Sequence, residues 1–496
     1  MAQASDKAGA SARATVGSVT HAAENETAAG KGATRVFARH AANLRYEALP
    51  TALVELIKQC VLDTLGVAIG ASGLAPEARW VADYVTEMGG KPEATLLGFG
   101  GKAPAPWAAF VNGSLGHMLD YDDVGAGGHV SIATVPVAFA IAEKLSGVSG
   151  RDLITAIAAG TDLHTRLNAA IRIPDWTITE GWFPTQLFGF MSGAATAGRL
   201  MRLDEDQMEN ALGIGFNQMS GSRQMAVGAA THMRSMQAGF SGQGAILAAD
   251  LSRRGIVGTK EPLEGRYGVF KTYVRTATPD WHAIIAGLGT HFPLLDKHGF
   301  KVWPACGYTR ATNTAVLHLR DEHQLKAADV DTITVIGGTG ATKLLCEPLE
   351  QKRRPQLSID AKYSIPFTTA IAMVRGNVTL QDFTAAGLRD AAVLRMAERV
   401  SYREEPGQQP WGGDSATSRP AVEIRTTDGR VFKCRPEGVP GDPRNPVTNE
   451  ALEAKFRDCV SFSARRIPSP HIDRALDMIR NLENVDNAAD IIRALS

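Results

Sequence analysis

Ala52-Leu-Val-Glu-Leu-Ile-Lys-Gln-Cys-Val-Leu-Asp-Thr-Leu-Gly-Val-Ala68 carries its apolar residues (Ala52, Leu53, Leu56, Ile57, Cys60, Val61, Leu65, Val67) at steps of three and four. That is the period of a helix with one buried face. Helical periods extend on both sides, from Val36 to about Tyr273. Two of the later stretches are crowded with small residues, Ser192 to Gly198 and Gly239 to Ala249. Small side chains let helix backbones approach closely, which predicts a compact helical core. The texture changes near residue 280. Val330 to Ile336 alternates β-branched residues, and Asp428-Gly429 separates two extended runs beginning at Val422, a hairpin signal. Four prolines between Pro436 and Pro446 mark a connector, and Thr448 to Ser496 returns to helical periodicity. Residues 1 to about 33 hold mostly Ala, Gly, Ser and Thr, too little apolar surface to offset the entropy of ordering. The expected fold is mainly α with an α+β second domain. It has a disordered tail over 1–33, a helical domain from 34–280 and 446–496, and an α+β lid domain over 281–445.

At 496 residues the chain exceeds the size at which a single core keeps growing, so about two domains are expected. Lys+Arg and Asp+Glu both number 52. Such a balance provides no global field for a nucleic acid or an acidic membrane, and neither is expected as a partner. Five cysteines stand singly with no CxxC pair, which predicts neither zinc nor an iron–sulfur cluster and fits a reduced, cytoplasmic setting. No secretory signal pattern opens the sequence. The longest uncharged stretch, Val124 to Ala142, contains His129, Pro136 and three glycines, and reads as a buried loop plus helix. Gly337-Gly-Thr-Gly-Ala-Thr fits neither a dinucleotide nor a Walker spacing and reads as a turn, and no G-x-S-x-G elbow is present.

Chemistry concentrates in Asn112-Gly-Ser-Leu-Gly-His-Met-Leu-Asp-Tyr-Asp-Asp-Val-Gly-Ala-Gly-Gly-His129. Helical spacing would put His117, Asp120 and Asp123 on one face, with Asp122 pointing elsewhere. Acids at a helix C-terminus oppose the macrodipole, so a buried cation or a proton-sharing His129 must compensate, unless the segment is simply a solvated acidic turn. These acids with His129 are also a conceivable divalent-metal site.

The string His-Met-Leu-Asp-Tyr-Asp-Asp, a glycine loop and then His resembles the signature of the MmgE/PrpD family, which includes 2-methylcitrate dehydratases, cis-aconitate decarboxylases and an iminodisuccinate epimerase. The likeness spans about residues 34 to 490. It includes Leu62-Asp-Thr-Leu-Gly-Val-Ala, Glu180-Gly-Trp-Phe-Pro-Thr, Leu263-Glu-Gly-Arg-Tyr-Gly-Val-Phe, Phe300-Lys-Val-Trp-Pro-Ala-Cys306, Asp360-Ala-Lys-Tyr-Ser-Ile-Pro and Asn445-Pro-Val-Thr, in this order.

The resemblance implies a homodimeric, metal-independent lyase with no cofactor that acts on a small di- or tricarboxylate. Proton abstraction alpha to a carboxylate, as in 2-methylcitrate dehydratase, is the expected chemistry. Decarboxylation of cis-aconitate, epimerisation of a dicarboxylate and silent binding are the alternatives. By the same resemblance His129 is the proton-transfer group, Lys301 a carboxylate holder or acid, and Asp120 the residue that orients His129 or pairs with a cation. Arg234 stands where many relatives have Lys, and its planar fork suits a carboxylate. Arg166 matches a family helix position and is either structural or ligand-binding. Two positions depart from the animal decarboxylase pattern, Val124 in place of Thr and Phe183 in place of His. A role lost at 183 would pass to Thr185, Gln186 or His232, which are expected to line the substrate site. Cys306 is expected to be a pocket wall.

Overall fold

The computed structural model describes residues 30–125, 127–171, 181–226, 231–274, 278–338, 341–405 and 419–496. The expected disordered tail therefore lies outside the described residues over 1–29, as do Ala126 of the glycine loop, Glu180 of the Trp-Phe-Pro turn, and Thr339 and Gly340 of the glycine-rich turn.

Nine longer helices build the first unit: α1 (Ala33–Asn43), α2 (Thr51–Leu74), α3 (Pro76–Met88), α4 (Ala105–Met118), α5 (Val130–Leu145), α6 (Gly150–Ala169), α7 (Pro184–Leu200), α8 (Glu205–Phe216) and α9 (Met233–Arg253). Between α4 and α5 lies a three-residue strand, β1 (Asp123–Gly125), and a matching β2 spans His298–Phe300. The opening stretch of the sequence is the buried middle of α2, whose Ile57, Cys60, Val61 and Leu65 are all inside the core. Small residues do what their crowding predicts. A Cβ on Gly239 of α9 would stand 2.2 Å from Ser114 Oγ and 2.4 Å from the Phe110 carbonyl, so α9 touches α4 backbone to backbone.

The second unit contains α10 (Arg310–Glu322), β3 (Val330–Gly337), α11 (Ile365–Arg375), α12 (Ala391–Glu398), β4 (Val400–Glu404), β5 (Ala421–Thr426) and β6 (Val431–Cys434). Its four strands run in the order β4-β3-β5-β6. β4 is parallel to β3 (Ile333 opposite Val400), while β5 is antiparallel to β3 (Ile333 opposite Ile424). The hairpin around Asp428-Gly429 joins β5 and β6, with Gly429 at φ 88° supplying the left-handed residue the turn needs. Helices α10 and α11 cover this sheet with Val316, Leu319, Phe367 and Ile371.

The apolar interior forms two clusters. The larger runs from Phe37 to Phe300 and takes in the terminal helices α13 (Asn449–Ser461) and α14 (Ser469–Arg480), while the smaller runs from Trp303 to Ile424. Ile284, Phe292, Leu294 and Phe300 pack into the larger cluster, although their sequence texture groups them with the second unit. Among the described residues no helix is long and apolar enough to cross a membrane. The uncharged Val124–Ala142 stretch is a strand, a loop and the buried α5.

Candidate active site

The passage from α4 to β1 decides where the acids go. α4 stops at Met118, and Asp120 adopts φ 49°, the left-handed region that Asp tolerates better than most residues. The chain then enters β1, which pairs with β2 so that Asp123 faces Phe300 and Val124 faces Gly299. Lys301, one residue beyond β2, consequently arrives beside Asp120. Its Nζ lies 2.6 Å from Asp120 Oδ1, 3.0 Å from the Asp120 carbonyl and 3.6 Å from Asp122 Oδ1. A second buried lysine fastens the two segments together. Lys455 of α13 donates to the carbonyls of Tyr121 (2.6 Å) and Lys301 (2.9 Å) and pairs with Asp63 of α2 (2.6 Å).

The left-handed turn overturns the expected sharing of faces. Asp122, not Asp123, meets both imidazoles: His117 Nδ1 is 2.9 and 3.0 Å from its two oxygens, and His129 Nδ1 is 2.9 Å from Oδ2. Asp123 accepts instead from the Ser131 backbone N–H (2.9 Å) and hydroxyl (2.7 Å). Asp120 pairs with Lys301 and does not orient His129. The hydrogen bonds also assign the tautomers. His129 Nδ1 sits 2.6 Å from the Asp123 carbonyl, which accepts only, so Nδ1 carries a proton and Nε2 is the nitrogen outside that bond. His117 donates through Nδ1, and its Nε2 accepts from Arg234 Nη1 at 2.7 Å. The result is a buried chain Arg234–His117–Asp122–His129, with Lys301–Asp120 alongside.

Electrostatics sharpens these roles. Burial alone would raise Asp122, but the N–H groups of His117 and His129 and the Lys301 ammonium outweigh it and hold the carboxyl well below its usual range. Asp120 follows the same pattern, with burial overcome by Lys301, His117 and Arg234. Asp123, with no cation as close, is pushed up to about 7 by burial and then by Asp122. Burial would lower Lys301, but Asp120 and Asp122 raise it, so it is an ammonium. His117 is held neutral, lowered to about 4 by burial in spite of Asp122.

Arg234 and Phe183 explain each other. The guanidinium carbon lies 4.3 Å from the centre of the Phe183 ring and 5.4 Å from that of Tyr363. A planar guanidinium stacks on an aromatic face where a point-like ammonium gains less, so Arg at 234 and Phe at 183 form one unit. Among the described residues, the polar atoms buried here without a hydrogen-bond partner include Asp120 Oδ2, Asp123 Oδ1, Arg234 Nε and the Tyr363 hydroxyl. Burial raises Tyr363 well above an ordinary phenol, so it stays protonated. Buried Cys306 forms part of the wall, its thiol pushed up to about 11 by burial and then by Asp120.

The other expected residues divide. Buried Thr185 accepts from the His129 backbone N–H at 3.0 Å and so holds the start of α5. Gln186 donates to Ser220 Oγ at 3.1 Å. His232, with 43% of its side chain exposed, stands at the start of α9 near Glu77 (3.6 Å) and outside the buried chain. Arg166 does not present a free fork. Its Nε bonds both Asp162 oxygens at 2.9 Å, Nη1 the carbonyls of Ala283, Ile284 and Ala286, and Nη2 that of His291 at 2.6 Å. It is thus the structural of the two alternatives. The sequence assigns no role to Tyr363, Lys362 or Lys455, and gives His117 and Asp122 only a place on or off a helical face. Lys455 left a readable trace there, a lysine within the apolar stripe Leu452, Phe456, Cys459 and Val460 of α13.

His117, Asp122 and His129 present ligand atoms within 4.8 Å of one another, the spacing of a metal site. Those atoms are already committed as hydrogen bonds, and Arg234 and Lys301 stand against them, so a divalent ion would meet two cations.

Comparison with known proteins agrees with this architecture. Over 479 residues the chain is 24% identical to the cis-aconitate decarboxylase of Mus musculus, an alignment covering 94% of this chain and 93% of the mouse protein. For the Homo sapiens enzyme of the same name the figures are 24%, 92% and 93%, and for that of Aspergillus terreus 24%, 94% and 96%. Residues 35–282 match the MmgE/PrpD N-terminal domain and residues 303–484 the MmgE/PrpD C-terminal domain, and with the two matches together spanning most of its length the chain belongs to the MmgE/PrpD family.

Proposed function

We propose that this protein is a lyase acting on a small di- or tricarboxylate, with His129 as the base and Arg234 and Lys301 as the cations that hold carboxylate and enolate charge. The observation that carries the reading is the buried chain Arg234–His117–Asp122–His129, which anchors His129 through Nδ1 and so points to Nε2 as the nitrogen that takes the proton, while Arg234 Nε and the Tyr363 hydroxyl keep donors without partners. In an elimination of water, His129 Nε2 takes the proton alpha to a carboxylate. The C–H electron pair becomes the new double bond as the C–O bond breaks, and the hydroxyl departs as water with the proton His129 accepted. Arg234 Nε and the Lys301 ammonium stabilise the enolate-like charge, and the Tyr363 hydroxyl donates a hydrogen bond to the leaving oxygen. Lys301 is too firmly protonated to be the base.

Decarboxylation is the second reading, favoured by relatives named cis-aconitate decarboxylase over nearly their full lengths. The segment 281–445 would act as the lid domain, since Lys301, Cys306 and Tyr363 lie on it while Asp120, Asp122, His117, His129 and Arg234 do not. Five free thiols fit a reduced, cytoplasmic setting, and the family resemblance supports a homodimer.

Incubation with 2-methylcitrate, citrate and cis-aconitate, followed by mass spectrometry, tests the proposal. A product lighter by one water supports dehydration, and one lighter by CO2 turns the reading to decarboxylation. Silence across the panel, or turnover unchanged in His129→Ala, overturns it.

A further inference from the structure

Four lysines are buried among the described residues, and three have an acid at contact distance. Lys301 meets Asp120 at 2.6 Å, Lys455 meets Asp63 at 2.6 Å, and Lys58 meets Glu55 and Glu483 at 2.8 Å. The fourth is Lys362, 2% exposed, with no carboxylate within ion-pair distance among the described residues. Its one hydrogen bond goes to the Met118 carbonyl at 3.0 Å, at the end of α4. Taking an ammonium out of water without an acid in contact is costly, and burial lowers this side chain to about 8 in spite of the more distant charges of Asp120 and Glu77. Lys362 also lines a recess, together with Leu74, Ala75, Pro76, Glu77, Met118, Leu119, Ile359 and Phe383 among others. Two features of that recess favour an anion. One is the Lys362 ammonium with N–H donors to spare, and the other is the positive end of α3, which begins at Pro76 and opens onto the same space. One feature opposes it, the Glu77 carboxylate, which lies 3.6 Å from His232 Nδ1.

We propose that this recess is a carboxylate subsite, in which Lys362 and the N-terminus of α3 hold a carboxylate of the ligand against a wall that is apolar apart from Glu77 and Ser358. Its inner wall, Met118 and Leu119, leads directly into Asp120, so the subsite adjoins the catalytic cluster and would receive the end of the substrate remote from the reacting carbon. In that sense it rests on the lyase reading above. The apolar lining selects a ligand whose chain between carboxylates is hydrocarbon, and Glu77 admits a hydroxyl donor while disfavouring a second negative charge at that spot.

Isothermal titration with citrate, run beside inorganic phosphate, tests the subsite on the full chain. In Lys362→Met the citrate affinity is expected to fall by about tenfold or more. In Glu77→Gln, which removes the opposing charge, it is expected to rise, an effect a merely damaged fold would not produce. Lys362→Met is also expected to keep or raise Tm without ligand, because it removes an uncompensated buried charge. Citrate binding equal in wild type and Lys362→Met, or absent from wild type, overturns the subsite, and so does phosphate binding more tightly than citrate with the same dependence on Lys362. Turnover of a carboxylate with KM unchanged in Lys362→Met would sink the subsite and spare the lyase reading. Lys362-dependent citrate binding in a protein that turns over nothing would do the reverse.

Discussion

Two buried arginines of this protein, Arg166 and Arg234, look alike in sequence and behave as opposites in the fold. Both are more than nine-tenths buried and both lie in helices of the first unit. Arg166 spends its guanidinium on Asp162 and on four carbonyls between Ala283 and His291, tying α6 to the segment before β2. Arg234 bonds one imidazole, stacks on Phe183 and leaves Nε without a partner, with Asp120 Oδ2 and the Tyr363 hydroxyl unpartnered too. The contrast lies in completeness. A saturated buried network stabilises the fold, whereas an unsaturated one keeps donors and acceptors for something else.

The contrast can be broken most forcefully at His129. Its replacement by Ala is expected to lower kcat by about 10²- to 10⁴-fold, the usual share of a general base, while Tm changes less because buried Asp122 keeps His117 and Lys301 beside it. A large loss of Tm with turnover retained would make the cluster structural. Arg166→Met should do the opposite: by leaving Asp162 buried and uncompensated, it is expected to cost about 3–5 kcal/mol in urea unfolding, with kcat of the remaining folded enzyme unaltered. An effect on KM instead would move Arg166 into the substrate site.

A smaller effect separates the two regions by pH. Burial lowers His117 to about 4 and His164 and His298 to about 3, so the folded state resists protonating them. Their stabilising contribution is full above about pH 6.5, the unfolded value, and is lost as pH falls through 4 and 3. Asp123 and Asp162, raised by burial to about 7 and about 6, run the other way. Their contribution is full below about pH 4 and is lost as pH rises through 6 and 7. Stability measured by urea unfolding is therefore expected to peak at about pH 6 and to fall by a few kcal/mol on the acid side. A flat profile would mean that the buried imidazoles are not neutral.

The mildest test is Arg234→Lys, which keeps the charge and discards the stacked plane. It is expected to lose about 0.5–2 kcal/mol of ligand binding, read as a rise in KM. Pairing it with Phe183→His in a double-mutant cycle should recover part of the loss. Strict additivity would show that the two positions are independent.

Much of this molecule was legible without coordinates. Helical periods located α2, small-residue runs marked the close helix contacts, and β-branched alternation with Asp428-Gly429 marked the sheet. Those signals are local, and the buried face of a helix or strand repeats within a few residues. The site was legible as an inventory only. His129, Lys301, Asp120 and Arg234 are brought together, but the helical-face argument assigned Asp123 the place that Asp122 takes, because nothing in the residue order announces that α4 ends at Met118 and that Asp120 turns left-handed.

From the sequence alone came the helical class, the α+β insertion, the family and the residue types that carry charge into the core. Tertiary structure alone decided which carboxylate faces which imidazole, that Arg166 is saturated and Arg234 is not, and that Lys362 is the one buried lysine without an acid. The first follows from a left-handed turn at Asp120 that no residue pattern announces, and the others depend on partners more than a hundred residues away, such as Ala286 for Arg166 and Met118 for Lys362, whose contacts follow from how helices pack and leave no periodic trace in the chain.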